Sequence, residues 1–216
     1  MLKLTDYFKE VQTSDGSLTF YNENYAECMH SKSGAIEESF KKFVEPCLDI
    51  KNPRILDICF GLGYNSAAAL EIFGKDVEII GLEADNIVLQ KIQDLNPSLK
   101  YYNIIKKMAL LQDFENKKII LGDATKTIKS LPSNYFNIIF LDPFSPGKNP
   151  ELWSLGFFKE IERVMMNCGI LTTYSCARTV RENLKNIGFS IKDGPCVHRR
   201  GPSTIATKIA CVNDTC

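Results

Sequence analysis

The chain has no net charge, no cysteine pair at metal-site spacing, no apolar run long enough for a bilayer and only two histidines, and each absence removes a class of protein. With 26 basic and 26 acidic side chains, it lacks the global positive field of a protein dedicated to polyanions. Its eight cysteines fall at 28, 47, 59, 168, 176, 196, 211 and 216. No two are separated by two residues, so zinc ribbons and paired redox thiols are excluded, and structural or surface thiols are expected. The longest apolar stretches, such as residues 136–141, are strand-length and far below the ~20 residues of a membrane helix. Residues 1–10 alternate charged with apolar side chains and have no secretory core, so a cytoplasmic location is the default expectation. His30 and His198 stand far apart with no acidic-plus-cysteine pattern around them, and no metal is assigned.

What is present is a chain of 216 residues, 44% hydrophobic and 24% charged. That is the length and composition of one folded domain. Residues 1–44 are polar, aromatic-rich and glycine-punctuated. They are expected to form an N-terminal lid, a hairpin followed by a short helix near residues 35–44, with Tyr25, His30 and Ser31 as lid residues. Pro46 and Pro53 mark a boundary, and residues 45–216 then alternate β-branched runs with helical stretches. Strands are predicted over 54–60, 77–83, 118–121, 136–141, 169–174, 189–192 and 204–209, and helices over 65–73, 85–95, 99–113, 157–166 and 179–186. The fold class is therefore α/β and Rossmann-like, a seven-stranded, mostly parallel sheet with helices on both faces.

The chemistry sits at the predicted strand ends. After the first strand, Asp57-Ile58-Cys59-Phe60-Gly61-Leu62-Gly63-Tyr64-Asn65-Ser66 forms a glycine turn that opens a helix. Such a turn lets backbone approach a ligand and exposes the N–H groups of the helix N-terminus. A tight connection with nothing bound is the plainer alternative. The second strand ends in Glu83, placed to accept both hydroxyls of a ribose. A dinucleotide fingerprint would have a third glycine where this chain has Ser66, whereas S-adenosylmethionine, which has no phosphate, needs only the turn and the carboxylate. The third strand ends in Asp123-Ala124, suited to the amine and ring nitrogen of adenine, although an aspartate there also caps helices. Phe60, Gly61, Gly63, Asn65, Glu83, Asp123 and Ala124 are thus the candidate cofactor residues.

The fourth strand runs into Asp142-Pro143-Phe144-Ser145-Pro146-Gly147-Lys148-Asn149-Pro150-Glu151-Leu152-Trp153, a loop stiffened by three prolines. Asp142 is the candidate catalytic residue: an amine attacks only when neutral, and a carboxylate beside it can orient it and accept its proton. Turn capping is the alternative for Asp142. Phe144, Lys148 and Trp153 are candidate substrate residues, with packing as the alternative for the aromatics. Residues 176–208 hold seven Lys/Arg against two Asp/Glu, and Arg199 and Arg200 lie in a glycine- and proline-rich loop fit to grip phosphates or to remain a plain exposed hairpin.

The Asp142 loop, the Phe157-Phe158 pair, the helix of residues 178–184, Asn186-Ile187-Gly188-Phe189 and the ICFGLGYN turn together resemble the methyltransferase domain of the MnmC/MnmD family. The resemblance covers about residues 22–208. It implies S-adenosylmethionine-dependent N-methylation of the 5-aminomethyl group of wobble 2-thiouridine in tRNA. Gly61, Gly63 and Glu83 would fill its cofactor positions, and Asp142 its motif aspartate. The bifunctional members also carry an oxidase domain that generates the amine. This chain resembles the methyltransferase part standing alone, which implies that a separate enzyme supplies the aminomethyl-uridine. Pro143 stands where bifunctional members usually have glycine, and residues 25–37 differ from theirs. Two rivals remain. One is an aminopropyltransferase of the spermidine synthase type, which usually has a second carboxylate where this chain has Ser145. The other is a non-catalytic RNA-binding Rossmann scaffold.

Overall fold

The computed structural model describes residues 7–198 and 201–209. Its centre is an eight-stranded sheet of β4 (Arg54–Ile58), β5 (Glu78–Glu83), β6 (Asp113–Phe114), β7 (Lys117–Leu121), β8 (Phe136–Leu141), β9 (Met165–Thr173), β10 (Phe189–Asp193) and β11 (Thr204–Lys208). The spatial order is β10-β11-β9-β8-β4-β5-β7-β6. The five strands from β9 to β7 are parallel, β11 is antiparallel between β9 and β10, and β6 is antiparallel at the far edge.

Strand β8 shows why the sheet is buried on both faces. Ile138 and Phe140 join one apolar cluster, while Ile139 and Leu141 join the other, as the two-residue period of a strand requires. Helices α2 (Tyr64–Phe73), α3 (Asn86–Lys91) and α4 (Tyr102–Leu111) cover the first face. Helices α5 (Ala124–Thr127), α6 (Leu155–Val164) and α7 (Arg178–Asn186) cover the second. No described helix is long and apolar enough to cross a membrane.

The α/β class and the mostly parallel sheet match the sequence expectation, but the sheet gains an eighth strand. The helix expected to reach residue 113 stops at Leu111, because Gln112 takes a left-handed conformation at φ 58. Asp113 and Phe114 then pair with Lys118 and Lys117. Strand β9 likewise begins at Met165, where the predicted helix was to continue.

The N-terminal part forms its own antiparallel sheet of β1 (Phe8–Gln12), β2 (Leu18–Asn22) and β3 (Glu27–Cys28). Helix α1 (Ala35–Glu38) follows and continues as a π-helical stretch through Ser39–Val44. Phe8, Phe20, Phe43 and Val44 share the first apolar cluster with α2 and α4, and the Tyr64 hydroxyl donates to the Leu18 carbonyl at 2.7 Å. Of the cysteines, Cys28, Cys47, Cys59 and Cys196 are free thiols. Cys168 is disulfide-bonded, which corrects the expectation of thiols throughout.

Candidate active site

Strand order reverses at β4, with β5 and β7 added on one side of it and β8 and β9 on the other, and ligands of open parallel sheets bind outside the carboxyl ends of the strands at such a point. There the structure holds a cavity of about 750 Å³, the size of a small-molecule site. Gly61, Glu83, Asp123, Ala124, Asp142 and Phe144 line it from below, and Tyr25, His30 and Ser31 line it from the N-terminal sheet side. Glu27, Glu38, Asp85 and Glu151 add four further carboxylates, and Lys42 is the one lysine or arginine among its described lining residues. A wall this acidic repels a pyrophosphate and favours a cation.

Backbone conformation builds the floor. Cys59, Gly61 and Gly63 all have positive φ, at 63, 56 and 73. At Gly63 the reason is both conformational and steric, since a Cβ would lie 2.4 Å from Ile105 Cγ2. Gly63 therefore shapes the turn from beneath α4 without lining the cavity. Gly63→Ala is expected to cost about 3 kcal/mol or more of stability in a denaturant titration. Wild-type stability would show that the turn tolerates rearrangement. Phe60 also faces inward, its ring filling the space a side chain at Gly81 would need.

Glu83 is fixed by that turn: Gly61 N–H donates to Oε2 at 2.8 Å and Asp85 N–H donates to Oε1 at 2.9 Å. Each oxygen keeps a second lone pair for a ligand hydroxyl. Burial raises its pKa, against the pull of those two N–H donors. Beneath the turn, Asp57 is fully buried and accepts from the Ser66 hydroxyl at 2.6 Å. Thus the residue in place of the third glycine serves a carboxyl. Burial pushes Asp57 up to about 7. Asp57 Oδ1 and Asn65 Oδ1 are buried acceptors without a partner in the protein, the kind of atom to which a buried water donates.

Asp142 continues from β8, its N–H donating to the Ile58 carbonyl at 3.1 Å. Asn65 Nδ2 donates to Asp142 Oδ2 at 2.9 Å, so Asn65 acts through Asp142. Burial raises the Asp142 pKa well above the usual carboxylate range. The charges of Glu38 and Asp57 add to the rise, while Asn65 and Lys42 oppose it. Its loop is braced from several sides: Trp153 Nε1 donates to the Phe144 carbonyl at 2.9 Å and the Tyr174 hydroxyl donates to the Pro143 carbonyl at 3.0 Å. Trp153 is buried and belongs to this bracing, and Lys148 is exposed outside the cavity. Asp123 accepts from Thr125 N–H at 2.9 Å and pairs with Lys126, so it caps α5 while it borders the cavity.

The N-terminal sheet is pinned across the cavity on two sides. The Tyr7 hydroxyl donates to Asp85, and Ser145 N–H donates to Glu27 Oε2 at 3.0 Å. Tyr25 stacks on Phe144 with centroids 4.3 Å apart and planes 20° from parallel. His30 contacts Thr19 Oγ1 through Nδ1 at 3.0 Å, and burial lowers its pKa to about 4, which leaves a neutral ring. Among the described residues no group of three or more His, Cys, Asp or Glu is gathered to hold a metal. Arg199 and Arg200 lie outside the described residues. Glu27, Glu38, Lys42 and Asp85 were not singled out in the sequence, where their charges carry the signal of an ordinary solvated surface.

This fold and this acidic cavity define the architecture of a class I S-adenosylmethionine-dependent methyltransferase. A family model described as S-adenosyl-L-methionine-dependent methyltransferase matches residues 91–209. The uncharacterized protein MJ0670 of Methanocaldococcus jannaschii is 37% identical over 211 residues, 92% of this chain and 59% of its own length. The tRNA 5-methylaminomethyl-2-thiouridine biosynthesis bifunctional protein MnmC of Ralstonia nicotianae is 38% identical over 88 residues, 41% of this chain and 13% of its own. The chain therefore spans about three fifths of the archaeal relative and about an eighth of the bifunctional one. Among solved structures, MNMC2 of Aquifex aeolicus matches with a TM-score of 0.76 at 30% identity, over 96% of this chain and 72% of its own. Spermidine synthase of Thermotoga maritima shares the fold alone, with a TM-score of 0.68 at 16% identity over 93% and 69%.

The chain belongs to the MnmC-type family of S-adenosyl-L-methionine-dependent methyltransferases. The residues present fit that cofactor: Glu83 keeps acceptor capacity for ribose hydroxyls, and the acidic wall suits a sulfonium.

Proposed function

We propose that this enzyme methylates the primary amine of 5-aminomethyl-(2-thio)uridine at the wobble position of tRNA. The observation that carries the reading is Asp142, a carboxylate in the wall of an acidic cavity, oriented by Asn65 and raised in basicity by burial. When bound, S-adenosylmethionine supplies a methyl group on a sulfonium. Gly61, Glu83, Asp123 and Ala124 would hold it. An incoming ammonium donates to Asp142 and leaves its proton on that carboxylate, which frees the nitrogen lone pair for attack. The carboxylate's fixed position supplies proximity and orientation.

The Tyr25–Phe144 stack offers flat faces for a base drawn out of its helix or loop. The MnmC names of the relatives favour uridine in tRNA as the carrier of the amine. Outer RNA contacts would fall to Lys148 and to the basic stretch of residues 176–208, with Arg199 and Arg200 included from the sequence. Three of that stretch's charges are already engaged, the first being Arg178, which donates to Glu182 Oε1 at 2.7 Å. Arg181 donates to Thr204 Oγ1 at 2.9 Å and to the Ser203 carbonyl at 3.0 Å, and Lys208 donates to the Met165 carbonyl at 2.9 Å. A separate activity must first make the aminomethyl group.

Aminopropyl transfer is the rival that the fold keeps in view. Ser145 stands where that chemistry has its second carboxylate, and its N–H and hydroxyl both donate to Glu27. Product mass distinguishes the two. With S-adenosylmethionine and an RNA bearing 5-aminomethyluridine, the nucleoside is expected to gain one methylene in mass. With decarboxylated S-adenosylmethionine and putrescine, no spermidine is expected. The reverse pattern would replace methyl transfer by aminopropyl transfer.

A further inference from the structure

The N-terminal helix contributes two charged side chains to the cavity that the reaction as derived leaves unused. Glu38 ends α1 and Lys42 lies one turn later in the π-helical stretch. Both line the cavity, although Lys42 is only 1% and Glu38 only 8% exposed. Lys42 Nζ donates to Glu38 Oε1, and Ser31 N–H donates to Glu38 Oε2 at 3.0 Å. Burying an ion pair costs desolvation that mutual attraction need not repay, and an apolar pair of similar volume often packs as well or better. Single π-helical turns occur frequently at functional sites. A lysine beside a cavity that takes a sulfonium and an amine repels both unless a carboxylate covers it.

We propose that Glu38 is a second carboxylate that binds the substrate amine opposite Asp142, with Lys42 as the positioning residue that holds it. This rests on the reading of the methyl acceptor as a primary amine. The amine arrives as an ammonium. One N–H bonds to Glu38, and one proton passes to Asp142. The nitrogen lone pair then forms the bond to the methyl carbon, the carbon–sulfur bond breaks with its electron pair remaining on sulfur, and the product is a secondary ammonium. Asn65 from α2 bonds Asp142 directly, Glu38 and Lys42 from the lid helix and Cys59 from the glycine turn line the same cavity, and the charge of the buried Asp57 from β4 also acts on Asp142. Among them Glu38 raises the Asp142 pKa and Lys42 lowers it, so neutralising each should move the acid limb of catalysis in opposite directions.

The test follows kcat/KM against pH for wild type, Glu38→Gln, Lys42→Met and the double variant, on an RNA carrying a single 5-aminomethyluridine. Calorimetry with S-adenosylmethionine reports folding. Glu38→Gln is expected to lose about 10²-fold in kcat/KM, the scale of a misplaced reactant, with its acid limb moved to lower pH. Lys42→Met is expected to move that limb to higher pH. The double variant removes both charges, binds cofactor and stays as slow as Glu38→Gln. Recovery of the wild-type rate in the double variant would make the pair structural and overturn the proposal. If the double variant fails to bind cofactor, Glu38→Asp decides instead: a loss of roughly tenfold or more supports the proposal, and an unchanged rate overturns it. Wild-type enzyme that leaves the aminomethyl RNA unmethylated overturns the acceptor reading and this proposal together, whereas an active wild type with a recovered double variant overturns this proposal alone.

Discussion

Asp142→Asn is expected to lower turnover by about 10²–10⁴-fold, the range spanned by a lost general base, while leaving S-adenosylmethionine affinity nearly unchanged. Asparagine keeps the volume and an oxygen for the Asn65 amide but cannot take a proton. The pH dependence gives a second signature. Burial, then the charges of Glu38 and Asp57, raise the Asp142 pKa well above its ordinary value. The carboxylate is therefore protonated and inactive at low pH, and activity rises as pH passes through the raised value. The stability linkage has the opposite sense. A raised carboxyl pKa favours the folded state below the unfolded value, and that contribution is lost as pH rises through the folded one. Asp142→Asn should accordingly remove the acid limb of catalysis and fold more stably than wild type on the alkaline side. Single-turnover rates and denaturation across pH check both, and equal turnover in the variant would take Asp142 out of the chemistry.

Glu83→Ala is expected to weaken S-adenosylmethionine binding by about 10²-fold. Two charge-assisted hydrogen bonds to a ribose, at roughly 1.5 kcal/mol each, set that scale. The variant also removes the acceptor of the Gly61 and Asp85 N–H groups, so part of the loss comes from a loosened glycine turn. Glu83→Gln keeps an oxygen for one of those donors and should fall between. Calorimetry measures all three. Wild-type affinity in the alanine variant would move the ribose away from β5.

The sheet and its strand-end carboxylates were legible because each signal is local. The run Ile138–Leu141 has no polar alternation, and Gly61, Glu83, Asp123 and Asp142 each follow a β-branched or apolar run at a turn. What escaped depends on distant packing. Strand β6 is two residues long and exists only because Gln112 turns left-handed and sends the chain back along β7. Trp153 reads equally as a base-stacking ring or a brace, and only its bond to the Phe144 carbonyl decides for the brace. Phe60 and Gly63 belong to the cofactor turn by sequence, yet they face Gly81 and Ile105. Glu38 and Lys42 have the spacing of a solvated helical pair. They become buried because α1 and the π-helical stretch that follows it pack against α2 and β9. Their role depends on a surface the sequence does not display.

The most direct measurement is the fate of a labelled methyl group, carried by S-adenosylmethionine and offered to an RNA with one 5-aminomethyluridine beside the same RNA with plain uridine. The expected result is one label per aminomethylated RNA, on the side-chain nitrogen, and none on the control. Label on a ring or ribose atom, equal labelling of the two RNAs, or no transfer at all would contradict an acidic cavity built to methylate an amine.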